Sequence, residues 1–147
     1  MVGKVYLGGG GSSEQEAPLW REAFHADDSV VIWPFAHATI GARESSIAWM
    51  RNALTPYGLR SVEAWTDSGI EERVLSGVDV VCIPGGNTFT LLHELRSTGL
   101  LRLLREYLRD GGRLYGGSAG AVVAGADIGI AVVADPNDVG LSDTGAL

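Results

Sequence analysis

The stretch Val78–Asn87, Val-Asp-Val-Val-Cys-Ile-Pro-Gly-Gly-Asn, reads as a strand that is continuously apolar after Asp79 and stops at Pro84-Gly85-Gly86-Asn87. A strand with one wet face would alternate in polarity, so an unbroken apolar strand belongs where both faces are covered, at the centre of a parallel sheet with helices above and below. The rest of the chain supplies what such a strand needs. Short apolar runs predict further strands in Lys4–Leu7, in Ser29–Phe35 with a stop at Pro34, in Leu59–Trp65 and in Leu114–Gly116. Helical periods lie between them. Ser13 and Glu16 read as a capping box ahead of Leu19, Trp20, Ala23 and Phe24, and Ile47, Met50 and Leu54 mark a second helix. Two more are predicted over Thr88–Arg96 and Leu100–Arg109, separated by Gly99 and closed by Gly111-Gly112. Strands alternating with helices predict an α/β fold, a doubly wound, mostly parallel sheet in three layers, and the 147 residues suit one domain.

Eleven Lys and Arg face eighteen Asp and Glu, a net charge of -7 with no basic cluster, which argues against nucleic acid and anionic membrane as partners. The lone cysteine, Cys82, rules out an internal disulfide and a cysteine-based zinc site, and it reads as a small buried hydrophobe. No basic leader opens the chain, and no apolar run approaches the ~18 residues of a membrane span, so a soluble cytoplasmic protein is expected. The run Gly8-Gly9-Gly10-Gly11 lacks the lysine of a P-loop and the full G-x-G-x-x-G spacing, and nothing in the sequence calls for a metal or a cofactor.

In sheets of this kind ligands bind at the carboxyl ends of the strands. That edge collects Gly8 to Gly11, Pro34 to His37, Pro84 to Thr88 and Gly116 to Gly120. The last of these, Gly116-Gly117-Ser118-Ala119-Gly120, satisfies G-x-S-x-G, the strand-to-helix elbow that lifts a serine hydroxyl clear of the sheet. Glycines flank the serine because side chains there would collide with the strained turn and its neighbours. The Ala119 amide opens the helix and is one oxyanion donor, with the Gly86 amide as the expected second. The plainer reading is a tight glycine turn with Ser118 as an ordinary helix cap.

The stretch from Ile83 to Leu100, with Pro84-Gly85-Gly86-Asn87-Thr88 at its start, followed some twenty residues later by Tyr115-Gly116-Gly117-Ser118-Ala119-Gly120, resembles the dipeptidase E family of α-aspartyl dipeptidases. The resemblance runs to about Asp143 and implies a serine hydrolase with a class I glutamine amidotransferase-like sheet, acting on small peptides, possible substrates including those with N-terminal aspartate. Carried over, Ser118 matches the nucleophile, Gly86 and Ala119 the oxyanion donors, and Gly85, Asn87, Thr88 and Gly117 the loops that shape the site. The family's acidic residue falls on Asp138 of Asn137-Asp138, with Asp135 as second choice. The family's general-base histidine lies on a strand after that loop, so by resemblance the chain is truncated at its C-terminal end.

Serine is a weak nucleophile without a base. Of the three histidines, His25 and His93 read as surface groups, while His37 shares the active edge. A doubly wound order with three strand spacings between the second and fifth strands would hold His37 ~14 Å away. Arg43 and Arg113 are the candidates for a substrate carboxylate, and Arg96, Arg102, Arg105 and Arg109 read as a solvated face. The four tryptophans read as core or interface material. Two functions follow: a serine peptidase using Ser118, or a catalytically silent binding or oligomerisation domain. An incomplete sheet exposes an apolar edge, so a homo-oligomer is expected under either.

Overall fold

A computed structural model describes residues 2–67 and 74–147. Five parallel strands form one sheet in the order β1-β5-β4-β2-β3. They are β1 (Lys4–Gly8), β2 (Ser29–Ile32), β3 (Ser61–Ala64), β4 (Val80–Ile83) and β5 (Arg113–Gly117). The helices are α1 (Ser13–Ala23), α2 (Ile40–Leu54), α3 (Thr88–Ser97), α4 (Leu100–Arg109) and the short α5 (Ala119–Val123). Among the described residues no helix is long and apolar enough to cross a membrane.

Period-two alternation within the strands makes the three layers. Val30, Ile32, Val80, Cys82 and Tyr115 pack with Trp20, Phe24, Ile47, Met50 and Leu54 of the α1 and α2 layer. Val31, Val81, Ile83 and Leu114 face the other way, onto Phe89, Leu91, Leu92, Leu95, Leu100 and Leu104 of α3 and α4. All four residues of β4 are buried, as their unbroken apolar character requires.

Three expectations change. The capping box uses Ser12 and Gln15, not Ser13 and Glu16: Ser12 Oγ accepts from the Gln15 amide at 3.2 Å, and the Ser12 amide donates to Gln15 Oε1 at 2.9 Å. Glu16 is thereby released for another task. The strand order puts only β4 between β2 and β5, so the separation is two spacings, about 10 Å, rather than three. The arginines of α3 and α4 are not uniformly solvated. Arg96 donates to the carbonyls of Asp143 and Gly145, and Arg105 to that of Ala146, so both hold the segment after α5, while Arg102 pairs with Glu106 on the surface.

The register aligns the strand ends that carry loops. Gly8 sits opposite Gly117, and Gly116 is level with both Leu7 and Ile83. Close approach then depends on missing side chains: a Cβ on Gly116 would run into the Gly120 carbonyl, and one on Gly120 into the Ile83 carbonyl. Gly41, on the first turn of α2, has open space around it. Gly120→Ala should therefore lower unfolding free energy by about 1–3 kcal/mol through overpacking against backbone. Gly41→Ala should raise it by up to about 1 kcal/mol, and urea unfolding followed by tryptophan fluorescence checks both signs.

Candidate active site

Ser118 stands between β5 and α5 with φ 51° and ψ −107°, a left-handed backbone that a non-glycine residue adopts only when its surroundings impose it. The constraint is visible on both sides. The Ser118 amide donates to the Gly8 carbonyl at 3.0 Å, and the Ser118 carbonyl accepts from the amides of Ala121 and Val122, each at 3.0 Å. The first amides of α5, those of Ala119 and Gly120, have no acceptor within the helix. Ser118 is thus an elbow rather than an ordinary cap, and its side chain makes no capping hydrogen bond.

Two glycine loops close around it. A Cβ on Gly10 would lie 2.6 Å from Ser118 Cβ, and one on Gly85 would lie 3.1 Å from the same atom. Gly10 has φ 76° and Gly86 φ 151°, and a Cβ on Gly86 would lie 2.7 Å from that of Ala36. The Asn87 amide donates to the Ala36 carbonyl at 2.9 Å, which ties the loop after β4 to the loop after β2. Asn87 also caps α3, accepting from the Thr90 amide at 3.0 Å.

The first glycine loop is held by a residue that sequence reasoning used elsewhere. Glu16 is buried, and its Oε1 accepts from the amides of Gly10 at 2.9 Å and Gly11 at 3.1 Å. Tyr115 donates its hydroxyl to Glu16 Oε2 at 3.2 Å. Burial raises the Tyr115 phenol well above its ordinary range, so it stays a neutral donor. The clue in the sequence was a carboxylate one helical turn beyond a run of four glycines.

Two clefts flank Ser118. One, of about 660 Å³, lies against α1 and α2 and is lined by Gly10, His37, Trp49, Gly85, Gly86 and Gly117 among others. The second, of about 420 Å³, lies against α5 and reaches Gly9, Thr88, Ala119 and Asp135. His37 therefore lines the same cleft as Ser118, although no hydrogen bond joins its ring to the serine hydroxyl. Burial and the nearby Arg43 guanidinium lower the His37 pKa, partly opposed by a hydrogen bond to the Gly85 backbone, so the neutral imidazole prevails at neutral pH. Asp135 accepts from the Thr88 amide at 2.9 Å and from Thr88 Oγ1 at 2.7 Å. Asp138 is exposed and lines neither cleft. Asn87 Nδ2 donates to the Pro136 carbonyl at 2.8 Å, anchoring the acidic loop to the loop after β4.

Neither candidate arginine faces the serine as a free cation. Arg43 donates through Nε to the His37 carbonyl at 2.8 Å, pairs with Glu94 at 3.4 Å and covers the Phe35 ring at 5.1 Å. Arg113 lies at the opposite end of the sheet, paired with Asp28 at 2.7 Å.

The profile of peptidase family S51 matches residues 5–147. The chain belongs to peptidase family S51. Peptidase E of Haemophilus influenzae (strain ATCC 51907 / DSM 11121 / KW20 / Rd) is 34% identical over 115 residues, covering 74% of this chain and 50% of that protein. Peptidase E of Citrobacter koseri is 34% identical over 124 residues, covering 84% of this chain and 51% of its own length. The chain thus spans about half the length of these relatives. A peptidase E-type protein from Listeria monocytogenes EGD-e superposes with a TM-score of 0.77 at 27% identity, over 99% of this chain and 74% of that one. A peptidase from an acI-B1 actinobacterium shares the fold, with a TM-score of 0.68 at 22% identity over 87% of this chain and 59% of that one. Membership in S51 bears out the resemblance carried by the paired glycine motifs, and the three-layer sheet agrees with it.

Within this S51 chain the buried carboxylate is the simplest part of the site to test. Glu16→Ala strands two loop amides and a buried hydroxyl, which should cost about 1–3 kcal/mol in urea unfolding. Glu16→Gln keeps an acceptor for the amides and should lose less than half as much.

Proposed function

We propose that the chain is a serine-type peptidase of small peptides with Ser118 as nucleophile. The observation that carries this is the left-handed Ser118 backbone at a strand-to-helix elbow, walled by Gly10 and Gly85 and opening into two clefts. The Ser118 hydroxyl attacks the scissile carbonyl, and the oxyanion rests on the amides of Gly86 and Ala119. The serine proton passes to a base and then to the leaving amine. His37 is the imidazole that shares the cleft; a second subunit, or chain of the kind the longer relatives carry, are the other sources. Asp135, bonded to Thr88 in the α5-side cleft, is our choice over Asp138 for the acidic role, and it suits a base that enters from that side rather than His37. Substrates with N-terminal aspartate need a cation for the carboxylate, and with Arg43 and Arg113 already paired it has to come from outside the α2-side cleft.

A fluorophosphonate that labels the wild-type chain and leaves Ser118→Ala unlabelled supports this reading. With His37 as base, the labelling rate rises with pH through a midpoint below 6.5, because the neutral form reacts and burial favours it, and His37→Gln removes that rise. A folded chain that does not label is the silent binding domain instead.

We also propose that the chain self-associates. Strand β1 is an edge of the sheet and exposes Val5 and Leu7, and Ile130, Val132 and Val133 add exposed apolar surface beyond α5. Size-exclusion chromatography with light scattering should give a dimer or larger species, and a clean monomer at tens of micromolar overturns this.

A further inference from the structure

The cleft between Ser118 and α2 has a wall without a fixed charge. Among its described lining residues there is no lysine, arginine, aspartate or glutamate. Its two titratable groups, His37 and Tyr115, are both held toward their neutral forms. The guanidinium that acts on His37, that of Arg43, is occupied by the His37 carbonyl, Glu94 and the Phe35 ring. A carboxylate entering here would lose hydration with no cation to replace it.

Aromatic surface fills the same wall. Trp49, on α2, is 47% exposed, unlike Trp20, Trp33 and Trp65, which are buried. Its ring meets Trp20 edge-on at 6.1 Å and 69°, and Trp20 meets Tyr115 at 6.0 Å and 80°. The three rings form a ladder from Trp49 on α2 to Tyr115 on β5, the strand that precedes Ser118. Met50 and Ala42 continue the apolar lining, and Ser45 and Ser46 supply hydroxyls at its edge. A large aromatic held half in water by edge-to-face packing is a surface that gains from a flat or branched apolar partner.

We propose that this cleft is the subsite for an uncharged aromatic or large aliphatic side chain of the substrate, with Trp49 as its specificity-determining residue. The proposal rests on the peptidase reading in taking the cleft as a substrate site. It adds the class of side chain and the side of the serine on which it sits. If the substrate also carries an acidic residue, that residue lies away from α2.

Binding tests this without turnover. In the Ser118→Ala chain, NMR titration with N-acetyl-phenylalaninamide should show saturable shifts and an affinity at least about ten-fold above that of the α-amide of N-acetyl-aspartate, whose side-chain carboxylate is free. Adding Trp49→Ala should weaken the aromatic amide about ten-fold and leave the aspartyl compound unchanged, while Trp49→Phe keeps most of the preference. Trp49 is half exposed, and a native circular dichroism spectrum establishes that each variant is folded. Equal affinities, tighter binding of the aspartyl compound, no saturable binding of the aromatic amide, or indifference to Trp49→Ala each overturn the proposal. Fluorophosphonate labelling of the wild-type chain is read separately, so a failed subsite and a failed nucleophile give different results.

Discussion

The amide of Ser118 donates to the carbonyl of Gly8, and through that bond the end of β1 meets the turn that carries the candidate nucleophile. A left-handed serine costs of order 1–3 kcal/mol and persists only where the surroundings leave it no other conformation. Here they do so by backbone contact rather than by side chains. Gly116 and Gly120 let α5 sit directly on β4 and β5, and the register aligns Gly8, Gly117 and Ile83 at neighbouring heights. The five-residue motif is therefore a packing solution whose product is a serine left exposed at the turn.

Much of this was legible because it is local. Ile47, Met50 and Leu54 are all buried at the spacing read from the sequence, and the apolar run at Val80–Ile83 became the covered strand it had to be. The elbow was legible for the same reason, since glycine spacing records backbone contact. Strand order was not: β2 lies beside β4 because of how the crossovers pack, and no short window encodes that. The two serines show the limit most clearly. Ser12 and Ser13 each have an acceptor three residues on, and local rules rank them alike. The choice falls to Ser12 because Glu16 is drawn to the amides of Gly10 and Gly11 and to the Tyr115 hydroxyl, ninety-nine residues away in sequence. Arg96 and Arg105 were misread as wholly solvated on similar grounds, since the carbonyls they meet lie more than forty residues downstream.

The site has a division of labour that follows from burial. Full charge is kept back from the α2-side cleft: Glu16 sits behind the glycine loop, and Arg43 is folded onto Phe35 and Glu94. What faces the cleft is glycine backbone, hydroxyl and aromatic ring. Fixed dipoles and apolar surface can bind and orient a peptide without the cost of stripping water from an ion at each approach.

Cys82 occupies the middle of the central strand, beneath both helical layers, and burial pushes its thiol far above the ordinary range. A thiol in that place is chemically mute while the layers are closed. It meets an alkylating reagent only when β4 itself is uncovered, and β4 is the strand whose loop contributes Gly85 and Gly86 to the serine. The speed at which this one sulfur is modified is thus a clock for how often the central strand comes open, built into the chain with no added dye.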